Sequence, residues 1–189
     1  GGGTPSYIES KYIVDVLQQL KQKFNISKNA EITIEVNPGT VTKGKLEDYY
    51  NTGINRLSIG LQSTDNEMLK SIGRIHTLEE FKGTYNLARK VGFKNINVDL
   101  MIGLPNQEVK NIKKDLETII NLNPEHISVY SLILEEGTVL ENKVNRKIVK
   151  LPEENIERKM YWAVKNTLEK EGYIHYEISN FAKEGFESK

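Results

Sequence analysis

Short segments with two-residue apolar alternation, separated by longer ones with helical spacing, set the tightest limit on what this chain can fold into. In Glu31-Ile-Thr-Ile-Glu-Val36, residues Ile32, Ile34 and Val36 share one side of an extended strand, which sends Glu35 to the other. Arg56-Leu-Ser-Ile-Gly-Leu-Gln62 sets Leu57, Ile59 and Leu61 opposite Gln62. Asn95-Ile-Asn-Val-Asp-Leu100 likewise sets Ile96, Val98 and Leu100 opposite Asp99. If helices cover the apolar sides, the three polar side chains converge inside a curved sheet, at the strand ends where barrel enzymes keep their chemistry.

The helical stripes lie between these strands. Ile13, Val16, Leu17, Leu20 and Phe24 predict a helix from about Tyr7 to Phe24, opened by a Ser6-x-x-Glu9 capping box. A short helix follows the Asn37-Pro-Gly39 turn near Lys43 to Asn51, with Gly53 as its C-cap. Thr64-x-x-Glu67 and Thr77-x-x-Glu80 mark two more helix starts, the second with the stripe Leu78, Phe81, Tyr85 and Ala88 closing at Gly92. Val109, Ile112, Leu116, Ile119 and Ile120 define the next helix, and His126 to Leu132 a fourth strand. Glu135 to Lys150 reads as a charged excursion. Beyond it Pro152 starts a helix with Ile156, Met160, Ala163, Val164 and Leu168, ending at Gly172. Tyr173 to Ile178 is a last strand before a polar tail.

Strands alternating with covering helices indicate right-handed βα units, a parallel sheet and the α/β class. At 189 residues the chain is one domain, residues 1–189, but falls short of the roughly 250 of a complete eight-stranded barrel. A partial TIM-like (β/α) barrel with outer helices is therefore expected. Lys plus Arg balances Asp plus Glu at 26 each, so no global field directs the chain to nucleic acid or anionic membrane. No apolar run approaches the ~20 residues that span a bilayer, which makes a cytoplasmic protein the expectation. The absence of cysteine removes disulfides and thiolate-held metal from this chain, and no other metal-binding or catalytic motif is visible. A chain opening on a glycine triplet reads as an excised segment.

Each candidate site residue has a plain structural reading beside the functional one. Gly1-Gly-Gly-Thr-Pro-Ser6 is either a tight turn or a place where backbone approaches a ligand at a helix start. Glu35 either pairs with Arg56 or Arg74, sits exposed at its strand end, or meets a cationic ligand. Gln62 closes a loop or binds a ligand; Asp99 caps the turn at Gly103 or accepts bonds from a ribose diol. Arg74 is a solvated charge or a bidentate partner for a carboxylate. Tyr130 lies against a flat ligand or fills the lumen, and His126 and His175 read as structural residues.

At these positions the chain resembles the oxygen-independent coproporphyrinogen III oxidase family of radical S-adenosylmethionine (SAM) proteins, and within it most nearly the heme-chaperone (HemW) branch. The strings that carry the resemblance are GGGTPS at Gly1, EVNPGT at Glu35, GLQS at Gly60, GRIHT at Gly73, VDLMIGLP at Val98, HISVYSLILEEGT at His126 and HYEISNFA at His175. The resemblance implies that Gly2, Gly3, Thr4, Glu35 and Arg74 hold the methionine portion of SAM and that Gln62 and Asp99 hold the ribose. It implies that Met101 and the segment from Tyr130 to Ile133 flank adenine. It further implies a six-stranded partial barrel and a [4Fe–4S] cluster, whose one-electron transfer to the sulfonium releases a 5′-deoxyadenosyl radical.

The family carries its three cluster cysteines before the glycine triplet, and this chain has no such loop. A fragment without the first strand and cluster loop, with residues 151–189 beginning the family's extension, is expected to be inactive as an oxidant. Two classes of function then compete for the parent protein. One is transfer of heme; the other is oxidative decarboxylation of coproporphyrinogen III with an electron donor. A cluster-free nucleotide-binding barrel is the third reading. Open sheet edges predict dimerisation or swapping of the fragment.

Overall fold

The computed structural model describes residues 3–189. A six-stranded sheet organises it, in which four strands in chain order are followed by β6 (Asn180–Ala182) and then β5 (Ile174–Glu177). The strands β1 (Thr33–Val36), β2 (Arg56–Gln62), β3 (Ile96–Ile102) and β4 (His126–Ser131) are parallel neighbours in chain order. Helices α1 (Ser10–Lys23), α2 (Lys43–Thr52), α3 (Asn66–Ser71), α4 (Leu78–Val91), α5 (Val109–Leu122), α6 (Val139–Asn145) and α7 (Glu154–Lys170) complete the βα pattern. The sheet is not closed, and β1 and β5 are its edges. An α/β fold with a partial barrel is thus as expected.

The core lies between the sheet and the outer helices. Leu57, Ile59, Leu61, Ile96, Val98 and Leu100 are fully buried there, against Leu46, Tyr49, Phe81, Ala88, Ile112, Leu116 and Met160. These are the alternating positions and helical stripes of the sequence. Side chains such as these contribute about 1.5–3 kcal/mol each on full burial, which fixes which side of each strand faces outward to the helices. Arg56, Ser58, Asn97, Asp99, His126 and Ser128 are left to line the concave side.

Several local expectations change. The first strand begins at Thr33, two residues late. Ser6 does not cap α1: it is buried in a 3-10 turn (Pro5–Tyr7), where its hydroxyl bonds Thr40 Oγ1 at 2.7 Å and accepts the Asn37 N–H at 3.2 Å. Glu9 occupies the N-cap of α1 without a side-chain bond. On α1, Ile13 and Leu17 lean on the core while Val16, Leu20 and Phe24 stay exposed, because the helix lies beside the sheet's edge. Thr64 does not cap α3 either. Asp65 does, accepting the N–H groups of Glu67 and Met68, because the Thr64 hydroxyl has a buried partner in Asp115. The Thr77 and Glu80 capping box forms as expected, and Gly53 closes α2 with a φ of 97°.

The charged excursion contains α6. The tail is not polar throughout: β5 (Ile174–Glu177) turns into β6 (Asn180–Ala182), which pairs antiparallel with β4. Phe181 and Ala182 are buried by that pairing, so the sheet is only partly parallel.

Candidate functional site

At the C-terminal ends of β1, β2 and β3, Thr4, Glu35, Asn37, Ser58, Gly60, Gln62, Arg74, Asp99 and Tyr130 line one polar cavity of about 310 Å³. An adjoining cleft of about 330 Å³ shares Arg74 and is walled by Ile72, Met101, Leu132, Ile133, Leu134 and Leu140. The structure therefore brings together Thr4, Glu35, Gln62, Arg74, Asp99 and Tyr130, and puts Met101 and Ile133 next door. Gly3 takes a φ of 105°, a backbone open to glycine, just before Thr4. Gly2 lies outside the described residues.

Glu35 is exposed to the cavity and has no ion pair among the described residues, with either Arg56 or Arg74. Arg56 instead lies 3.9 Å from Glu31, and Arg74 donates to the neutral Asn37 Oδ1 at 3.3 Å. A carboxylate and a guanidinium thus share one cavity without neutralising each other. Asn37 also donates to Thr4 Oγ1 at 2.9 Å, so it fastens the turn after Gly3 to the Arg74 loop. Arg74 comes from the α3–α4 connection, its N–H held by Leu69 O at 2.9 Å.

Gln62 reaches the cavity by more than strand alternation. The register between β2 and β3 slips at Gly60 and Gln62, and Gln62 has a φ of 72°. A Cβ at position 60 would stand 3.0 Å from Gln62 Nε2, so glycine leaves the room in which that amide folds back.

Asp99 is half-buried and does not cap the Gly103 turn. It accepts Asn97 Nδ2 at 2.7 Å and Ser58 Oγ at 3.1 Å. Burial, with Glu35 adding repulsion, pushes its carboxyl up to about 6, although Asn97 and Ser58 draw it downward. Behind it, Asn97 Oδ1 accepts Ser128 Oγ at 3.1 Å and lies 2.6 Å from His126 Nδ1. That contact places a hydrogen on Nδ1, leaving Nε2 to accept the Tyr176 hydroxyl at 2.7 Å. Burial holds the His126 pKa down at about 4, so the ring is neutral and structural. His175 stacks on Phe181 at 4.5 Å and lines neither depression.

Asn37, Ser58 and Asn97 escaped the sequence reading as site residues. Ser58 and Asn97 share the two-residue period of Gln62 and Asp99, a signal sufficient to find them; Asn37 was hidden in an apparent turn. Among the described residues no cluster of potential metal ligands is found, and no helix is long and apolar enough to cross a membrane.

A partial barrel with an acid, an amide and a second acid at its strand ends, and a guanidinium brought in by a helix connection, defines a class. The radical SAM superfamily model matches residues 1–119, and the chain belongs to that superfamily. Within it the chain is similar to the heme chaperone HemW of Lactococcus lactis, 38% identical over the whole chain and 50% of the relative. It is also similar to HemW of Escherichia coli, 37% identical over 99% of the chain and 48% of the relative. The chain spans about half the length of the curated relatives it matches. In structure it is similar to coproporphyrinogen III oxidase (HemN) from Escherichia coli, a radical SAM enzyme, with a TM-score of 0.84 and 28% identity. That match covers 99% of this chain and 43% of the other.

Proposed function

We propose that the polar cavity binds the methionine and ribose portions of S-adenosylmethionine and that the adjoining cleft takes its adenine. The observation that carries this reading is the unneutralised pair, Glu35 and Arg74, in one cavity with Gln62 and Asp99. A zwitterionic amino acid needs one acceptor for its ammonium and one cation for its carboxylate, and a ribose needs hydroxyl acceptors. Glu35 and Arg74 serve the first need, Asp99 and Gln62 the second. Backbone at Gly3 with Thr4 borders the amino acid end, and Met101, Ile133 and Tyr130 flank the base. When bound, SAM supplies the sulfonium carbon bond whose cleavage is the superfamily's chemistry.

The donor set for SAM fits; that for an iron–sulfur cluster does not, since no cysteine is present to supply a thiolate. For the parent protein the heme chaperone relatives support heme binding and transfer, and we place it in the cytoplasm, with residues 151–189 belonging to the family's extension. The structural likeness to the oxidase supports a second reading, oxidative decarboxylation of a porphyrinogen with an electron donor. The free edge of β1 supports self-association of the chain, which light scattering would detect.

Isothermal titration of the chain with S-adenosylhomocysteine tests the nucleotide reading. Saturable 1:1 binding that is lost in Glu35→Ala and Arg74→Ala, with folding retained, is expected. Binding untouched by either change would overturn it.

A further inference from the structure

Asp115 lies near the middle of α5, in the outer helix layer, and is 2% exposed. A carboxylate so placed needs a cation or a full set of donors. Among the described residues no cation pairs with it. Its Oδ1 accepts the Thr64 N–H at 2.9 Å and the Thr64 hydroxyl at 2.5 Å, and its Oδ2 accepts the Ser63 hydroxyl at 3.2 Å. Ser63 and Thr64 are themselves buried, and they are the two residues that follow Gln62.

Gln62 holds a left-handed φ that side-chain-bearing residues seldom adopt, at the point where the β2–β3 register slips. In that slipped register its neighbour is Leu100, which points into the core. The left-handed turn sends the amide back over Gly60 into the polar cavity instead. Such a conformation persists only where surrounding contacts over-determine it. The three bonds to Asp115 begin one residue beyond the turn. Burial leaves the Asp115 carboxyl above its ordinary value, with Asp65 adding repulsion, although the Thr64 and Ser63 donors draw it down.

We propose that Asp115 is a positioning residue for the nucleotide site: by gathering the Ser63 and Thr64 donors from behind the sheet, it holds Gln62 in the conformation that turns its amide into the cavity. This rests on the nucleotide reading above. It goes further in giving the outer helix layer a part in ligand recognition, through a residue that touches no ligand.

A double-mutant cycle separates positioning from general support. Asp115→Asn keeps an oxygen for the Thr64 N–H and replaces the other by an amide facing the Ser63 hydroxyl. Titrating S-adenosylhomocysteine into folded protein, Asp115→Asn should weaken binding by about 5- to 20-fold when Gln62 is present. In a Gln62→Ala background the same change should cost less than about 2-fold, because the group it positions is gone. Equal weakening in both backgrounds, or binding within about 2-fold of the parent in Asp115→Asn alone, would overturn the inference while leaving the nucleotide reading intact. No binding by the unmodified chain would overturn the nucleotide reading itself, and the inference with it. Should Asp115→Asn fail to fold, Ser63→Ala removes a single donor to the clamp. It should weaken binding in the same direction, about 2- to 5-fold, again only when Gln62 is present; no loss would overturn the inference.

Discussion

Replacing Asp99 by asparagine should make the protein more stable at neutral pH and a poorer ligand binder, two effects of opposite sign from one carboxylate. Asp99 rises from an ordinary 3.8 to about 6 because burial penalises its charge more than Asn97 and Ser58 compensate. Its folded pKa lies above its unfolded one, so the folded state holds the proton more firmly between about pH 4 and 6. Stability therefore falls as pH rises through that window and stays lowered above it. A shift of about 2 units at 1.36 kcal/mol each corresponds to about 3 kcal/mol. The carboxylate opens onto the cavity, and Ser58 must turn its hydroxyl to accept from a new amide. About 1–2 kcal/mol is thus the expected gain for Asp99→Asn at pH 7.5, or roughly 2–8 °C in Tm for a chain of this size. Urea unfolding at pH 7.5 and pH 4 measures it; the gain should vanish at the lower pH. In parallel, loss of a charged acceptor for the ribose should weaken S-adenosylhomocysteine by about 10- to 100-fold. A destabilised variant at pH 7.5, or an unchanged slope of stability against pH, would refute the reasoning.

Gly60→Ala should weaken S-adenosylhomocysteine while changing Tm little, since the added methyl meets Gln62 Nε2 rather than the core; equal affinity by titration would contradict this. Thr77→Ala removes the α4 capping box and should cost about 1 kcal/mol in urea unfolding without altering ligand affinity. Tyr173→Phe deletes a buried hydroxyl that donates to Pro124 O at 2.7 Å and should cost about 1 kcal/mol by the same measurement.

What was legible in the sequence was what depended on near neighbours. The spacing of Leu57, Ile59 and Leu61, and of Ile96, Val98 and Leu100, reported the buried side of each strand, because an alternation of two can face only one way. Thr77 and Glu80 satisfy one another within a single turn, so their capping box formed as read. Ser6 and Thr64 carry the same local signal, yet their hydroxyls found partners 34 and 51 residues away, in Thr40 and Asp115. Residues 180–182 likewise read as tail, because their order comes from pairing with β4, about fifty residues earlier in the chain. The site divides in the same manner. Glu35 and Asp99 were visible from strand period. Asn37, which ties Thr4 to Arg74, and the left-handed turn at Gln62 depend on three-dimensional closure.

Chemical-shift mapping of S-adenosylhomocysteine on the isotope-labelled chain tests the nucleotide site most directly. Perturbations should gather on Thr4, Glu35, Gln62, Arg74, Asp99 and Tyr130, with the Met101 methyl group responding to the base. Shifts gathered elsewhere, such as the groove between Lys110 and Lys159, or none at saturating ligand, would contradict it.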